Sequence, residues 1–463
     1  MLRNLLSFFV FATVLYGHAK TIYDSPDVDM NRLFLEPKTK YVIRYSHAFS
    51  ETVKVPKDCE LLFDGGSLSG PIVFNKTKLS GEVNLKGSSL SGSVINKLFD
   101  ASWLCYMDGE TDDAKHINEM ISVCGHIFFP RGNYRLISTF NPSGKVPKEL
   151  HKSIISHIGI YQSDIHLEGE NGCNFITNEP LGTICIFSIP KSIENSVNNV
   201  KIENISFNVN NDGVNFYEFR HTIKVIGVNG LVIENCYFDD FWGDAICLSH
   251  YGDNPETGER TRNQNIRIIN NTIVGGNHHS NRNGISIING KNILVKGNVI
   301  RNTTRKKMPG GIDIEPNNSA YTLENIIIKE NQIEDVLGSA IALIIQNGSP
   351  AHHVEMLSNN ISRCLLGIYV QIDTENTTDS LIIKNNYVDA KTRPYRFGGK
   401  GKSSFWVIKG NIFDNLSLQE IPGKIQVQHL IVQKNKKKYF SLGMERTHQY
   451  IYTFRFDNQL FML

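Results

Sequence analysis

Two acidic side chains interrupt an otherwise apolar segment in the second half of the sequence. In GGIDIEPNN, residues 310–318, Asp313 and Glu315 are two residues apart. Side chains two apart on a β-strand point to the same face, about 6.6 Å from each other. This spacing lies within the roughly 6.5 to 9.5 Å range of the acid and base in inverting glycoside hydrolysis, and above the roughly 5 Å of retaining enzymes. The pair can therefore hydrolyse a sugar linkage if a strand presents it to the outside.

A repeat indicates the elements that must position the pair. An apolar strand that ends in Asn recurs along the middle of the chain, at intervals of 25 to 33 residues. The aligned positions are Asn271, Asn298, Asn331, Asn359, Asn386 and Asn411, preceded by Ile205 and Cys236 in two earlier units. Units of this length, with strands and no helical pattern, predict a parallel β-solenoid whose coils stack about 4.8 Å apart. The aligned Asn side chains are predicted to form a hydrogen-bonded ladder at a bend.

Each unit also contains a second strand, and GIDIE is one of these. Their alignment gives two apolar columns, which are Ile246, Ile285, Ile312, Ile341 and Ile368, and Leu248, Ile287, Ile314, Leu343 and Val370. Because side chains alternate along a strand, the intervening residues point away from the core. They are Cys247, Ser286, Asp313, Ala342 and Tyr369 in one column, and Ser249, Ile288, Glu315, Ile344 and Gln371 in the next. The register predicts that Asp313 and Glu315 point outward together.

Lengthened loops border this face. Residues 275–283 and 302–310 lie just before the strands of Ser286 and Asp313, and a further insertion spans residues 249–264. Long irregular insertions on one face often carry function, so a binding groove is predicted here. Asp244 is a candidate third catalytic acid, about 10 Å away, or alternatively a turn cap. The predicted substrate-binding side chains are Arg282, His250, His279, Lys306, Lys307 and Tyr369.

The residue patterns divide the chain into four predicted segments. Residues 1–19 have a basic start, an apolar run and a small-x-small cleavage site, which predict a signal peptide and export to the periplasm or the extracellular space. Residues 20–97 are predicted to form a small β module, and residues 98–415 the β-helix. Thr111 is predicted to N-cap an amphipathic helix at the start of that domain. Residues 416–463 are predicted to be a β-rich cap or tail.

Composition excludes several classes of function. With 40% hydrophobic and 20% charged residues the chain is globular, and its formal charge of +2 argues against general nucleic-acid binding. Beyond the leader, no apolar stretch is long enough to span a membrane. The eight Cys are never closer than 11 residues, which favours buried free thiols, with Cys173 and Cys185 as the nearest plausible disulfide pair.

The sequence resembles a known superfamily in four segments: DGETDDAKHIN, FFPRGNYRL, NGISI and GGIDIEPN. These segments are similar to those of the right-handed parallel β-helix proteins of the pectate-lyase and polygalacturonase-like superfamily, which include tail-spike modules. The resemblance covers about residues 98–415. It implies an all-β, right-handed solenoid whose N-terminal helix caps the open end. It also implies action on a polysaccharide or oligosaccharide. Of the motifs of the pectin hydrolases in this group, the sequence retains only Asp244 from an Asp doublet.

Three functions remain open at this point. The first is an inverting glycoside hydrolase that uses Asp313 and Glu315 and needs no cofactor. The second is a polysaccharide lyase or uronate epimerase, in which the acids bind calcium and Arg282, a Lys or a His removes a proton. The third is a glycan-binding or adhesive solenoid without catalysis, since fold alone does not decide function.

Overall fold

The protein was analysed as a computed structural model. The structure describes residues 20–143, 148–188, 197–211, 213–250, 262–276, 281–303, 310–316, 321–346, 348–373, 377–413, 426–433, 436–441, 444–448, 453–456 and 459–462. The predicted signal peptide, residues 1–19, lies outside this part of the chain. Two compact units, Met1–Lys97 and Leu98–Leu463, are present.

The larger unit is a right-handed parallel β-helix, as predicted. One face, the long sheet, is formed in chain order by Phe99–Asp100, His126–Phe129, Ile165–Gly169, Asn198–Glu203, Asn229–Glu234, Asn263–Ile269, Gly290–Lys296, Leu323–Lys329, Ala351–Leu357, Thr377–Lys384, Lys402–Lys409 and Gln426–Gln433. Every neighbouring pair in this sheet is parallel, so each coil returns to the same face before the next begins.

Two further faces complete each coil. Short strands follow the bend after the long sheet: Asp108–Asp112, Gly132–Arg135, Cys173–Ile176, Ser206–Asn208, Tyr237–Asp239, Thr272–Val274, Val299–Arg301, Gln332–Glu334, Ile412–Phe413 and Lys436–Ser441. The third face, called the acid sheet below, contains Ser156–Ile160, Gly182–Phe187, Ile223–Ile226, Ile246–Ser249, Ile285–Ile287, Gly310–Ile314 and Ser339–Ile345. Two longer strands, Asn360–Ile372 and Tyr387–Gly399, run through both faces.

The predicted register of the acid sheet is confirmed. Ile285 pairs with Ile312 and Ile287 with Ile314, and both apolar columns are fully buried. Asp313 lies between Ser286 and Ala342 in the intervening column. The alternation of side chains along each strand therefore places branched apolar groups in the core and the acid column on the opposite face.

The Asn ladder is also confirmed. In a typical rung, the Asn298 backbone N–H and Nδ2 both donate to Asn331 Oδ1, each at 2.9 Å. The same Nδ2 donates to the carbonyl of Ile268 at 3.0 Å. From Asn271 to Asn411, these buried amides hold the chain at the bend of each coil and form hydrogen bonds with backbone groups that the sheets do not pair there.

The C-terminal boundary predicted at residue 415 is too early. Gln426–Gln433 pairs in parallel with Lys402–Lys409, because the edge of that strand still offers its backbone groups. Antiparallel pairing begins only with Met444–His448, and Thr453–Phe456 forms a hairpin with Gln459–Met462. The first part of the tail, Gln426–Gln433, continues the stack of coils.

One capping prediction is wrong. The helix spans Ala114–Val123, whereas Thr111 belongs to the strand before it. Asp112 Oδ1 instead accepts from the Ala114 N–H at 3.1 Å, and its carboxylate also accepts from two backbone N–H groups of residues 137 and 138. The predicted apolar stripe is buried. Two short 3₁₀ segments, Ala101–Trp103 and Lys148–Ile154, complete the helices of this unit.

The smaller unit also consists of stacked coils with parallel strands, and its coils are shorter. Its strands are Lys20–Tyr23, Thr39–Ile43, Ser46–Ala48, Val53–Lys54, Glu60–Phe63, Ser67–Gly81 and Ser88–Val94, with a short helix at Met30–Leu33. Lys40 pairs with Glu60 and Glu60 with Lys78, so its coils take about 20 residues.

Two further predictions concern the state of the cysteines and the presence of membrane-spanning helices. All eight Cys are free and buried, as the spacing favoured. Within the described part of the chain, no helix combines the length and the apolar composition that crossing a membrane would require.

Candidate active site

Asp313 lies on the outer side of the acid sheet, but it is not exposed. The register directs its side chain away from the core, as predicted, yet only 1% of the residue is accessible. Glu315, just past the end of the strand, is half-buried. The outward direction therefore does not expose the Asp313 carboxylate to water. Side chains from other coils cover it.

The two oxygens of Asp313 have different surroundings. Asn283 Nδ2 donates to Asp313 Oδ2 at 3.0 Å, and the same amide group donates to Ser286 Oγ at 3.0 Å. Asp313 Oδ1 is buried and has no hydrogen-bond partner among the described residues. Asn283 thus orients the carboxyl group and leaves its other oxygen without a hydrogen bond among the described residues.

Glu315 is held from the next coil. Its Oε1 accepts a hydrogen bond from Gln346 Nε2 at 2.9 Å. Its backbone N–H donates to the carbonyl of Ile287 at 3.1 Å, so the chain beyond Asp313 continues the parallel register. The outward pair is therefore about 6.6 Å apart along an extended backbone.

Asp244 belongs to the same site but has a different partner. Arg282 Nε lies 3.7 Å from Asp244 Oδ1, and Arg282 Nη1 lies 3.2 Å from Glu218 Oε1. His221 Nδ1 lies 3.2 Å from both the backbone nitrogen and Oδ2 of Asp244. The Asn283 N–H donates to Asp244 Oδ1 at 3.1 Å, so both readings of Asp244 survive: it caps the turn and it is a charged member of the site.

The three acids differ in the direction in which their surroundings shift the pKa. Burial, followed by the neighbouring Glu315, raises the pKa of Asp313 well above its usual range. Burial also raises the pKa of Glu315. For Asp244, burial acts in the same direction, but Arg282 and His221 outweigh it and bring the pKa down to about 2. One acid is thus ionised beside its counterion, while the other two compete for a proton.

Two of the other predicted binding residues, His250 and Tyr369, lie two coils from Asp313, on opposite sides of it along the axis. Tyr321 lies against His250, with its hydroxyl oxygen 2.6 Å from His250 Nδ1. Tyr369 stands two strands beyond Asp313 in the same column, with the guanidinium of Arg396 5.0 Å from its ring centroid. His279, Lys306 and Lys307 lie outside the described residues.

Sequence reasoning missed four residues of the site: His221, Glu218, Asn283 and Gln346. Extending the strand alignment one coil upstream, to HTIKVI, would have placed His221 beside Asp244 and Lys224 in the outward column. Glu218 lies in an irregular segment without a repeat, so the sequence carries no signal for it.

A cavity of about 730 Å³ opens at the N-terminal side of the site. Its lining includes three cations, Lys152, Arg220 and Lys224, and the aromatic rings of Phe216 and Tyr217. None of the three cations forms an ion pair with a described residue. Lys224 is in the same column as Asp313, separated from it by Cys247 and Ser286, which corresponds to about 14 Å along the axis.

No protein-family model matches the sequence, and no curated protein matches it. The chain is a parallel β-helix. Among solved structures, the surface adhesin PfbA of Streptococcus pneumoniae is 12% identical with a TM-score of 0.45, covering 79% of this chain and 98% of the adhesin.

Two enzymes are similar to the chain at the same level. DFA-IIIase of Arthrobacter chlorophenolicus is 11% identical with a TM-score of 0.41, covering 75% of this chain and 86% of the enzyme. The A-module of a mannuronan C-5 epimerase of Azotobacter vinelandii is 12% identical with a TM-score of 0.37, covering 74% of this chain and all of the module. At these scores the fold assignment depends on the stacked register of the β-helix itself.

Proposed function

We propose that the protein is an exported carbohydrate-active enzyme that hydrolyses a polysaccharide with inversion at the sugar carbon. Asp313 is the general acid and Glu315 the general base. The observation that carries the proposal is the buried Asp313 carboxyl group, whose pKa is raised and whose Oδ1 has no partner among the described residues. A carboxylic acid kept protonated at neutral pH can donate its proton to a leaving oxygen.

The hydrogen bonds and the exposure of the acidic side chains support this division of roles. Asn283 donates to Asp313 Oδ2, so Oδ1 is the oxygen that carries the proton. Glu315 is more exposed than Asp313. The spacing of about 6.6 Å between the two positions leaves room for a water molecule beside Glu315, which can deprotonate it, as inversion requires. Asp244 remains ionised and holds Arg282, whose charge faces the site.

The geometry favours hydrolysis over a calcium-dependent elimination. A calcium site needs several oxygen ligands that converge on one point. Among the described residues, Asp244, Asp313 and Glu315 do not form such a group. Asp244 is already neutralised by Arg282, and a protonated Asp313 is a poor ligand for a cation.

We further propose that the substrate is an anionic glycan. Three cations around the 730 Å³ cavity form no ion pair with a described residue and offer a site for a carboxylate or sulfate. One of them, Lys224, lies about 14 Å from Asp313 along the axis. The two aromatic rings beside them can pack on sugar faces.

A screen of the purified protein against acidic and neutral polysaccharides tests the proposal. Hydrolysis adds one water to the summed mass of the products, whereas elimination adds none and leaves an ultraviolet-absorbing unsaturated sugar. We expect products of hydrolysis from the wild type and from Asp335→Asn, a matched control on the outer surface. Asp313→Asn should be inactive. Retention of a glycan without new reducing ends would instead support an adhesive role.

The anionic specificity is tested on the same substrate after its acidic groups are removed, by carboxyl reduction in one arm and desulfation in the other. Lys224→Met should raise KM for the acidic glycan and leave the neutralised one unaffected. Equal KM changes for both forms would contradict the anionic site, whereas the assignment of Asp313 would stand.

A further inference from the structure

A second cluster of metal-ligand side chains lies on the long sheet, on a different face from the acid sheet. His126 belongs to His126–Phe129, and both His166 and Glu168 belong to Ile165–Gly169. His126 and His166 are direct partners in the parallel register. One ligand atom from each of the three side chains lies within 4.8 Å of the other two.

The two imidazole rings are stacked. Their centroids are 4.1 Å apart and their planes differ by 15°. His126 Nε2 is 2.8 Å from Glu168 Oε2, and His166 Nε2 is 2.7 Å from Glu203 Oε1. About a third of each of the three side chains is exposed, so an ion can enter from solvent without a movement of the backbone.

The surroundings can compensate for the change that an ion would cause. When His166 turns its nitrogen to a metal, Glu203 loses that hydrogen bond. Glu203 already contacts Lys201, whose Nζ lies 2.6 Å from Glu203 Oε1. The carboxylate therefore keeps a charged partner in the metal-bound form, and no buried acid is left unpaired.

We propose that His126, His166 and Glu168 bind a divalent transition-metal ion of the zinc type, with water in the fourth position. Two imidazoles and one carboxylate are a donor set that zinc accepts, whereas calcium and magnesium prefer oxygen alone. Tetrahedral binding at about 2.1 Å requires donor atoms roughly 3.4 Å apart. The present donor separations lie within 4.8 Å, and the side chains must adjust to reach that spacing. Side-chain torsions can supply that movement.

Such an ion would join two consecutive coils at the N-terminal end of the β-helix. Ala114–Val123 leads directly into the strand of His126, so the ion would also fix the end of the segment that carries the helix. Its expected role is structural, because the site is on a different sheet from Asp313. Binding to the folded form alone raises thermal stability with ion concentration.

Titration of the tag-free, full-length chain with Zn²⁺ by calorimetry, and with Co²⁺ by visible absorption, tests this site. We expect one saturable site, an intense tetrahedral Co²⁺ spectrum, and a melting temperature that rises with added Zn²⁺. His166→Ala should abolish the Co²⁺ spectrum. His166→Gln serves as a second variant, because it retains a hydrogen-bonding group toward Glu203.

A matched control is available on the same sheet. His352 pairs with Asp379 at 2.6 Å and lacks a stacked His partner in its register. His352→Ala should leave the binding constant and the Co²⁺ spectrum unchanged. The proposal is overturned if the folded wild type shows no saturable binding, or if the His352 and His166 variants lose binding equally.

Discussion

The Asn ladder and the acid sheet both bury polar side chains in consecutive coils, but they differ in how completely these side chains are paired. In the ladder, Asn298 and Asn331 use both the donor and the acceptor of their side-chain amides. In the acid sheet, Asp313 Oδ1, Asn283 Oδ1 and Arg282 Nε have no hydrogen-bond partner among the described residues.

This difference separates a structural network from a functional one. A fully paired amide column stabilises the fold, and nothing further can bind to it. An incompletely paired acid column costs stability in the free protein, and a ligand that supplies the missing hydrogen bonds recovers it. Removing side chains from the two columns should therefore have opposite consequences for stability and activity.

The largest expected effect is on catalysis. Asp313→Asn should lower kcat/KM by about 10²- to 10⁴-fold, because the amide cannot donate the proton that the leaving oxygen needs. Its thermal stability at pH 7 should equal or exceed that of the wild type, since the substitution removes the fully buried carboxyl group whose pKa is raised. Steady-state kinetics and melting curves measure both. A large loss of stability together with activity would place Asp313 in a structural role.

The ladder should show the reverse. Asn359→Ala should lower the free energy of unfolding by about 3 kcal/mol, because it leaves the Asn331 N–H and the Ile328 carbonyl buried and unpaired. Urea unfolding measures this value. The neighbouring Asn360→Ala, at an exposed position, should change it by less than about 0.5 kcal/mol. Similar losses in the two variants would remove the distinction between a ladder position and an ordinary surface Asn.

Acid should weaken the fold through Asp244. Its pKa of about 2 is lower in the folded chain than the usual value near 4, so the stabilisation is present above about pH 4 and is lost as the pH falls through 2. The contribution at neutral pH is about 2 kcal/mol. Unfolding of the wild type and Asp244→Asn at pH 6 and pH 3 measures it, and parallel pH dependences in the two proteins would contradict it.

Asp313 should change the pH dependence of folding stability in the opposite direction to Asp244. Its raised pKa means that the folded chain binds this proton more strongly than the unfolded chain, so its effect on stability becomes less favourable as the pH rises from about 4 through the raised pKa. The slope attributable to it is at most about 1.4 kcal/mol per pH unit. Urea unfolding between pH 4.5 and 7 should show a flatter dependence in Asp313→Asn. An unchanged slope would show that Asp313 titrates normally.

The sequence predicts the register of the β-helix because each coil repeats the same alternation. One aligned set of Ile and Leu residues is enough to orient Asp313, and one aligned set of Asn residues is enough to locate the bend. Both predictions depend on local periodicity, which the folded chain preserves.

The burial of Asp313 and the pairing of Arg282 could not be predicted in this way. They depend on Glu218, Asn283 and the segments between strands, whose lengths vary from coil to coil. The stacking of His126 on His166 was missed for a related reason. A 40-residue coil separates the two residues, and it precedes the region where the Asn repeat defines the register.

The anomeric configuration of the first products, followed by proton NMR during the initial minutes of hydrolysis, tests the central claim most directly. A carboxyl pair about 6.6 Å apart on one strand predicts that the wild type releases the inverted anomer, that Asp313→Asn releases none, and that Asp335→Asn behaves as the wild type. Release of the retained anomer, or hydrolysis that continues at the wild-type rate in Asp313→Asn, would contradict the assignment of Asp313 and Glu315.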